Sequence, residues 1–231
     1  MPGREIFFLV GGTQTNQVVI DAITPPYAGV VAATTGHVNV HEAGAIEFTG
    51  TKCSRSPTMT AKSTRMNSTN TAPRSTRTAT TRIWCSPGCV YISQATEYGT
   101  LYTLAELEAI RKICTKYDMP LFIDGARLGY ALTASGNDVT IEDIARLADV
   151  FYIGGTKVGA MFGEAVVFTH GNMPKHFVTI VKQHGALLAK GCCWDCSSTR
   201  CSPTACTCAS PATPTMPRTV SARCWWNVAT R

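Results

Sequence analysis

The run Phe151-Tyr152-Ile153-Gly154-Gly155-Thr156-Lys157 most constrains what this 231-residue chain can fold into. β-Formers that run straight into two glycines read as a buried strand ending in a tight turn. Lys157 then stands just past the strand's carboxyl end, which in open α/β sheets is the edge where ligands bind. A lysine flanked by glycine and small residues can be held half-desolvated there, which lowers its pKa and makes the amine nucleophilic.

The rest of the chain supplies further strands of the same kind. Ile6 to Val10 is apolar and ends at Gly11-Gly12, after which Thr13 to Asn16 open a helical pattern through Val18, Val19, Ile20 and Ile23 that Pro25-Pro26 stops. Val30 to Ala33 and Val90 to Ser93 read as strands. Thr103 and Glu106 form a capping box that starts a helix with Leu104, Leu107, Ile110, Ile113 and Cys114 on one face. Leu121 to Ile123 is a strand ending in Asp-Gly-Ala-Arg, Thr140 starts another helix, and Ala165 to Phe168 is one more strand. Strands alternating with helices predict an α/β fold with a mostly parallel sheet covered by helices on both faces.

The formal charge of +6 does not mark a nucleic-acid partner, because it is unevenly placed. Residues 51–84 hold five Arg and two Lys with no acid, and residues 191–231 hold four Arg against Asp195. The remainder, with 10 basic and 14 acidic residues, is mildly acidic. Seven of the eleven cysteines lie between Cys192 and Cys224, so no disulfide framework is expected in the body and a reducing compartment fits. No stretch approaches the length of a signal core or a membrane span, and the expectation is a cytoplasmic protein.

Several side chains with chemistry fall at one predicted edge. The Gly11-Gly12-Thr13 turn feeds a helix N-terminus, whose free N–H groups and positive dipole end suit a phosphate. It is neither a Walker loop nor a GxGxxG fingerprint. His37 follows the second strand, where an imidazole can lie flat on an aromatic ring. His41 and Glu42 lie close to it in sequence, but without a further ligand cluster no metal site is expected. Asp124 can pair with a protonated pyridine nitrogen, and Arg127 can grip a substrate carboxylate in bidentate fashion. With Lys157, this set suits pyridoxal 5'-phosphate chemistry.

These residues resemble the threonine aldolases and related β-eliminating lyases, which have the type I, aspartate-aminotransferase-like fold. The matching stretches are FFLVGGTQTN, TGHVNVHEAGAIEFTG, SPGCVYISQATEYGTLY, LFIDGARLGY and DVFYIGGTKVGA. The resemblance implies a three-layer large domain in which Lys157 forms a Schiff base with pyridoxal phosphate. It makes Asp124 the partner of the pyridine nitrogen and Arg127 a ligand of the substrate carboxylate. Gly12 and Thr13 then belong to the phosphate cup, and His37 stacks on the cofactor. Glu97 falls where many family members carry a histidine near the substrate hydroxyl, which leaves the base that starts the retro-aldol step open. Lys157, His37 and Glu97 are the candidate catalytic residues. Lys182 corresponds to a basic residue that reaches a neighbouring subunit's phosphate, and the family forms homo-oligomers. The implied reaction splits threonine, or a related β-hydroxy-α-amino acid, into glycine and an aldehyde, and this chain, which lacks counterparts of several family parts, is expected to catalyse it weakly. The motifs fix the cofactor better than the bond that breaks, so β-elimination and racemisation stay open, as does an inactive product of a damaged gene.

Three departures from the family pattern shape the expected domains. The chain starts almost at the first strand, so an incomplete large domain is expected over 1–50 and 85–191. Residues 51–84 contain ten Thr and five Ser but no Leu, Val, Asp or Glu, and are expected to be disordered, with no helix face or strand pattern. Residues 192–231 form a Cys-rich tail in place of a small C-terminal domain. The genetic code offers one explanation for both. Gly50 to Cys53 can be spelled GGC ACA AAG TGC, which contains His-Lys-Val, the family's continuation. Cys192 to Cys196 can be spelled so that the neighbouring frame reads Leu-Leu-Leu-Gly-Leu. Both segments are therefore expected to be out of frame.

Overall fold

A computed structural model describes residues 5–56, 85–160 and 162–188. Seven strands form one sheet: β1 (Glu5–Leu9), β2 (Ala28–Ala33), β3 (Lys52–Ser56), β4 (Ser86–Ser93), β5 (Leu121–Asp124), β6 (Val150–Gly154) and β7 (Glu164–Phe168). Their order across the sheet is β1-β7-β6-β5-β4-β2-β3. β7 runs antiparallel to both its neighbours, and the other pairs are parallel.

Two-residue periodicity divides the core. Val90, Ile92, Leu121, Ile123, Phe151, Ile153, Ala165 and Val167 face one side. Their sequence neighbours Cys89, Tyr91, Phe122, Val150, Tyr152, Val166 and Phe168 face the other. The first face is covered by α4 (Leu104–Lys116), α5 (Leu128–Thr133) and α6 (Ile141–Leu147), and the second by α1 (Gly12–Ile23) and α7 (Phe177–Gln183). Two short helices, α2 (His37–Val40) and α3 (Ala45–Phe48), follow β2. The result is the three-layer α/β architecture expected from the sequence, with strands too apolar to face water on either side.

The capping box of α4 is formed: Thr103 N–H donates to Glu106 at 2.8 Å and Glu106 N–H donates to Thr103 Oγ1 at 3.3 Å. Thr140 and Asp143 close a second box on α6. One expectation is corrected. Lys52–Ser56 is a strand, paired in parallel with β2 from Gly29↔Lys52 to Ala33↔Ser56. Its sequence has no apolar alternation, and it forms because the edge of β2 offers a row of unpaired backbone groups. The remainder of 51–84, and the tail beyond 188, lie outside the described residues. No described helix is long and apolar enough to cross a membrane.

Candidate functional site

The site is built where β5 and β6 end side by side. Gly154 N–H donates to the Gly125 carbonyl at 2.9 Å. A Cβ on Gly125 would stand 1.7 Å from the Tyr152 carbonyl oxygen, and one on Gly154 would stand 2.5 Å from the Ala126 carbonyl oxygen. Only glycine permits this backbone-on-backbone approach, which draws Asp124 and the Lys157 turn together.

Asp124 is the last residue of β5, on the α1 side of the sheet, and is 3% exposed. Its Oδ1 accepts the Tyr152 hydroxyl at 2.5 Å and the Ala126 N–H at 2.9 Å. Its Oδ2 accepts Asn16 Nδ2 at 3.2 Å and the Tyr91 hydroxyl. Burial beside this carboxylate pushes both phenols well above the usual tyrosine range, so both stay protonated as donors.

Lys157 follows β6 in a turn held from two sides. Tyr130 of α5 donates its hydroxyl to the Lys157 carbonyl at 2.7 Å. Glu164, 1% exposed at the start of β7, accepts Gly155 N–H at 3.0 Å and Thr156 Oγ1 at 2.7 Å. Burial pushes the Glu164 carboxyl up to about 7, with Asp124 adding to the rise and Lys157 opposing it. The turn is thereby tied to α5 and β7 while Lys157 itself is exposed, not half-desolvated as its flanking residues suggest.

His37 begins α2 and does not sit in an open loop. Its Nδ1 lies 2.6 Å from Glu42 Oε1, and its backbone N–H donates to Glu97 Oε1 at 2.9 Å, which also accepts Ser93 Oγ at 2.7 Å. The Glu42 carboxylate is the main cause raising the His37 pKa, partly offset by burial. Asn16 Nδ2 donates to Glu42 Oε1 at 2.7 Å, so a continuous buried chain runs from His37 through Glu42 and Asn16 to Asp124.

Gly12 and Thr13 open α1. Gly11 is an extended N-cap with no side-chain bond to the helix, and the first intrahelical bond is Thr15 N–H to Gly11 O at 2.9 Å. The N–H groups of Gly12, Thr13 and Gln14 thus precede the first intrahelical donor. A Cβ on Gly12 would lie 3.3 Å from the Tyr152 hydroxyl, which places this helix terminus beside Asp124. Arg127 is the half-buried N-cap of α5, and among the described residues its guanidinium has no carboxylate partner. Lys182 lies exposed in the last turn of α7, and no interaction among the described residues ties it to this cluster. Asn16, Glu42 and Glu164 are not singled out as site residues by the sequence; the partners of Asn16, Glu42 and Asp124, are remote in the chain, whereas Glu42 and Glu164 also bond residues near them in sequence.

A mostly parallel three-layer sheet with one antiparallel strand, carrying a lysine turn, a buried aspartate and a bare helix N-terminus at one edge, defines the type I fold of pyridoxal phosphate-dependent enzymes. The β-eliminating lyase family model matches residues 3–200, and the chain belongs to that family. It is 33% identical over 192 residues to a low specificity L-threonine aldolase of Pseudomonas aeruginosa, across 80% of this chain and 53% of the relative. A solved Leishmania major threonine aldolase superposes with a TM-score of 0.76 at 43% identity, over 82% of this chain and 54% of that one. An aromatic aminotransferase of Pyrococcus horikoshii, at 17% identity and a TM-score of 0.58 over 80% of this chain and 47% of its own, shares the fold. The chain spans about half the length of these proteins.

The family's cofactor is pyridoxal 5'-phosphate, and the residues present fit it. Donors without an intrahelical acceptor suit a phosphate, and a buried carboxylate suits a ring N–H. Protein donors already occupy both oxygens of Asp124, so a pyridinium would bond there by taking the place of one of them.

Proposed function

We propose that this chain holds pyridoxal phosphate at the β5–β6 edge and serves an enzyme that cleaves threonine, or a related β-hydroxy-α-amino acid, into glycine and an aldehyde. The convergence of Lys157, Asp124, His37 and the α1 N-terminus at one edge, each on a different element, carries this reading. The bound cofactor supplies an electron sink for the pair left when the Cα–Cβ bond breaks. Asp124 keeps a proton on the ring nitrogen, because its buried negative charge favours the cationic form. The amides of Gly12 and Thr13 would hold the phosphate, and the Lys157 amine would hold the cofactor at its carbonyl end. Arg127 grips the substrate carboxylate, and His37, held by Glu97 and Glu42, takes the hydroxyl proton. Lys182 stays a proposed phosphate contact to a neighbouring copy.

The test is product analysis with L-threonine and added cofactor, with Lys157→Ala as control. Because the chain spans about half the length of its relatives, glycine and acetaldehyde are expected in equal amounts but close to background, and lost in the variant. Release of 2-oxobutyrate and ammonia would show that β-elimination is the reaction instead.

A further inference from the structure

Glu42 is 4% exposed, and its placement is hard to explain as a contribution to stability. Its Oε1 takes both His37 Nδ1, at 2.6 Å, and Asn16 Nδ2, at 2.7 Å. Its Oε2 is buried without a hydrogen-bond partner among the described residues, as is Asn16 Oδ1. A buried carboxylate with one oxygen unsatisfied destabilises a fold, and an apolar side chain of similar size would fill the space at lower cost. The arrangement does serve His37. A carboxylate can only accept, so His37 must carry its proton on Nδ1, and the ring is held through that nitrogen. Nε2 is left as the nitrogen with a free lone pair whenever the ring is neutral. Asn16 braces the carboxylate from behind and joins it to Asp124 at 3.2 Å, so the imidazole and the aspartate are set as one unit.

We propose that Glu42, braced by Asn16, is a positioning residue that fixes His37 with Nδ1 as donor and presents Nε2 to take the proton of the substrate hydroxyl. The inference rests on the reading of His37 given above. The proton leaves the hydroxyl oxygen for Nε2, giving an imidazolium whose positive charge the Glu42 carboxylate offsets at Nδ1. Asp124 also favours the imidazolium, whereas the Lys157 ammonium opposes it. Glu97 lies at the His37 backbone, and the His41 ring stands 5.4 Å away, tilted by 48°.

The test is an NMR titration of His37 in the full chain without cofactor, comparing the parent with Glu42→Gln, Glu42→Ala and Asn16→Ala. Nitrogen shifts should show an Nδ1–H tautomer in the parent. Glu42→Gln, which keeps shape but removes charge, should lower the His37 pKa by one unit or more. Glu42→Ala should also mix the two tautomers, and Asn16→Ala should give a smaller shift in the same direction. A His37 titration unchanged in Glu42→Gln, or an Nε2–H tautomer in the parent, would overturn the proposal. Circular dichroism of the variants separates misfolding from a local effect, and the conservative Gln variant keeps the test open if Ala does not fold. Adding pyridoxal phosphate to the parent and following its visible absorption tests the cofactor reading separately. Failure there with a normal His37 titration rejects the site and leaves the grip of Glu42 intact.

Discussion

Replacing Glu164 by Gln should change how stability depends on pH. The folded protein holds this carboxyl at about 7, against an ordinary 4.5, because it is buried at the head of β7. An acid whose pKa is raised on folding binds its proton more tightly in the native state, so stability falls as pH rises from 4.5 to 7 and then levels off. At about 1.36 kcal/mol per unit, Glu164 should remove about 2.5 kcal/mol of stability between pH 5 and pH 8. Gln keeps the acceptor for Gly155 N–H and can donate to Thr156 Oγ1, so the turn survives and the pH term does not. The assay is urea unfolding of the cofactor-free protein at pH 5, 6, 7 and 8. The parent should lose stability relative to the variant by roughly the stated amount. Parallel pH profiles for parent and variant would refute the account of Glu164 as a carboxyl strained by burial.

Gly125→Ala should abolish folding or cost on the order of 4 kcal/mol or more, since the added Cβ would meet the Tyr152 carbonyl at 1.7 Å; thermal unfolding checks this, with Gly136→Ala, whose Cβ meets nothing within 4 Å, as a mild control. Sequencing the coding DNA tests the origin of the unusual segments: insertions or deletions near Gly50, Cys85 and Gly191, with family-like protein in the alternative frame, are expected. Alternative frames full of stops would exclude that origin.

The parts of the fold that rest on apolar runs were legible in the sequence. β4 through β7 announce themselves because a strand buried on both faces must be apolar along its length, and α4 carries its own capping box. β3 was illegible because Lys-Cys-Ser-Arg-Ser has no pattern of its own and borrows its order from β2. α5, only Leu128–Thr133, is too short to show a helical period and begins at an arginine with no side-chain cap. In the site, Lys157, Asp124 and Arg127 stood out because each follows a strand. Glu42 did not, since its meaning comes from Asn16, 26 positions earlier, and its nearness to two histidines pointed only towards a metal that lacked further ligands. Glu164 lies just outside the apolar run Ala165 to Phe168, and nothing in the local sequence signals that its carboxylate closes the turn that delivers the lysine.

Lys157 is the residue proposed to hold the cofactor. Purified chain incubated with pyridoxal phosphate, reduced with borohydride and digested should yield the phosphopyridoxyl group on the peptide containing Lys157, with no such adduct from Lys157→Ala. An identical adduct from Lys157→Ala, or labelling confined to other lysines, would contradict it.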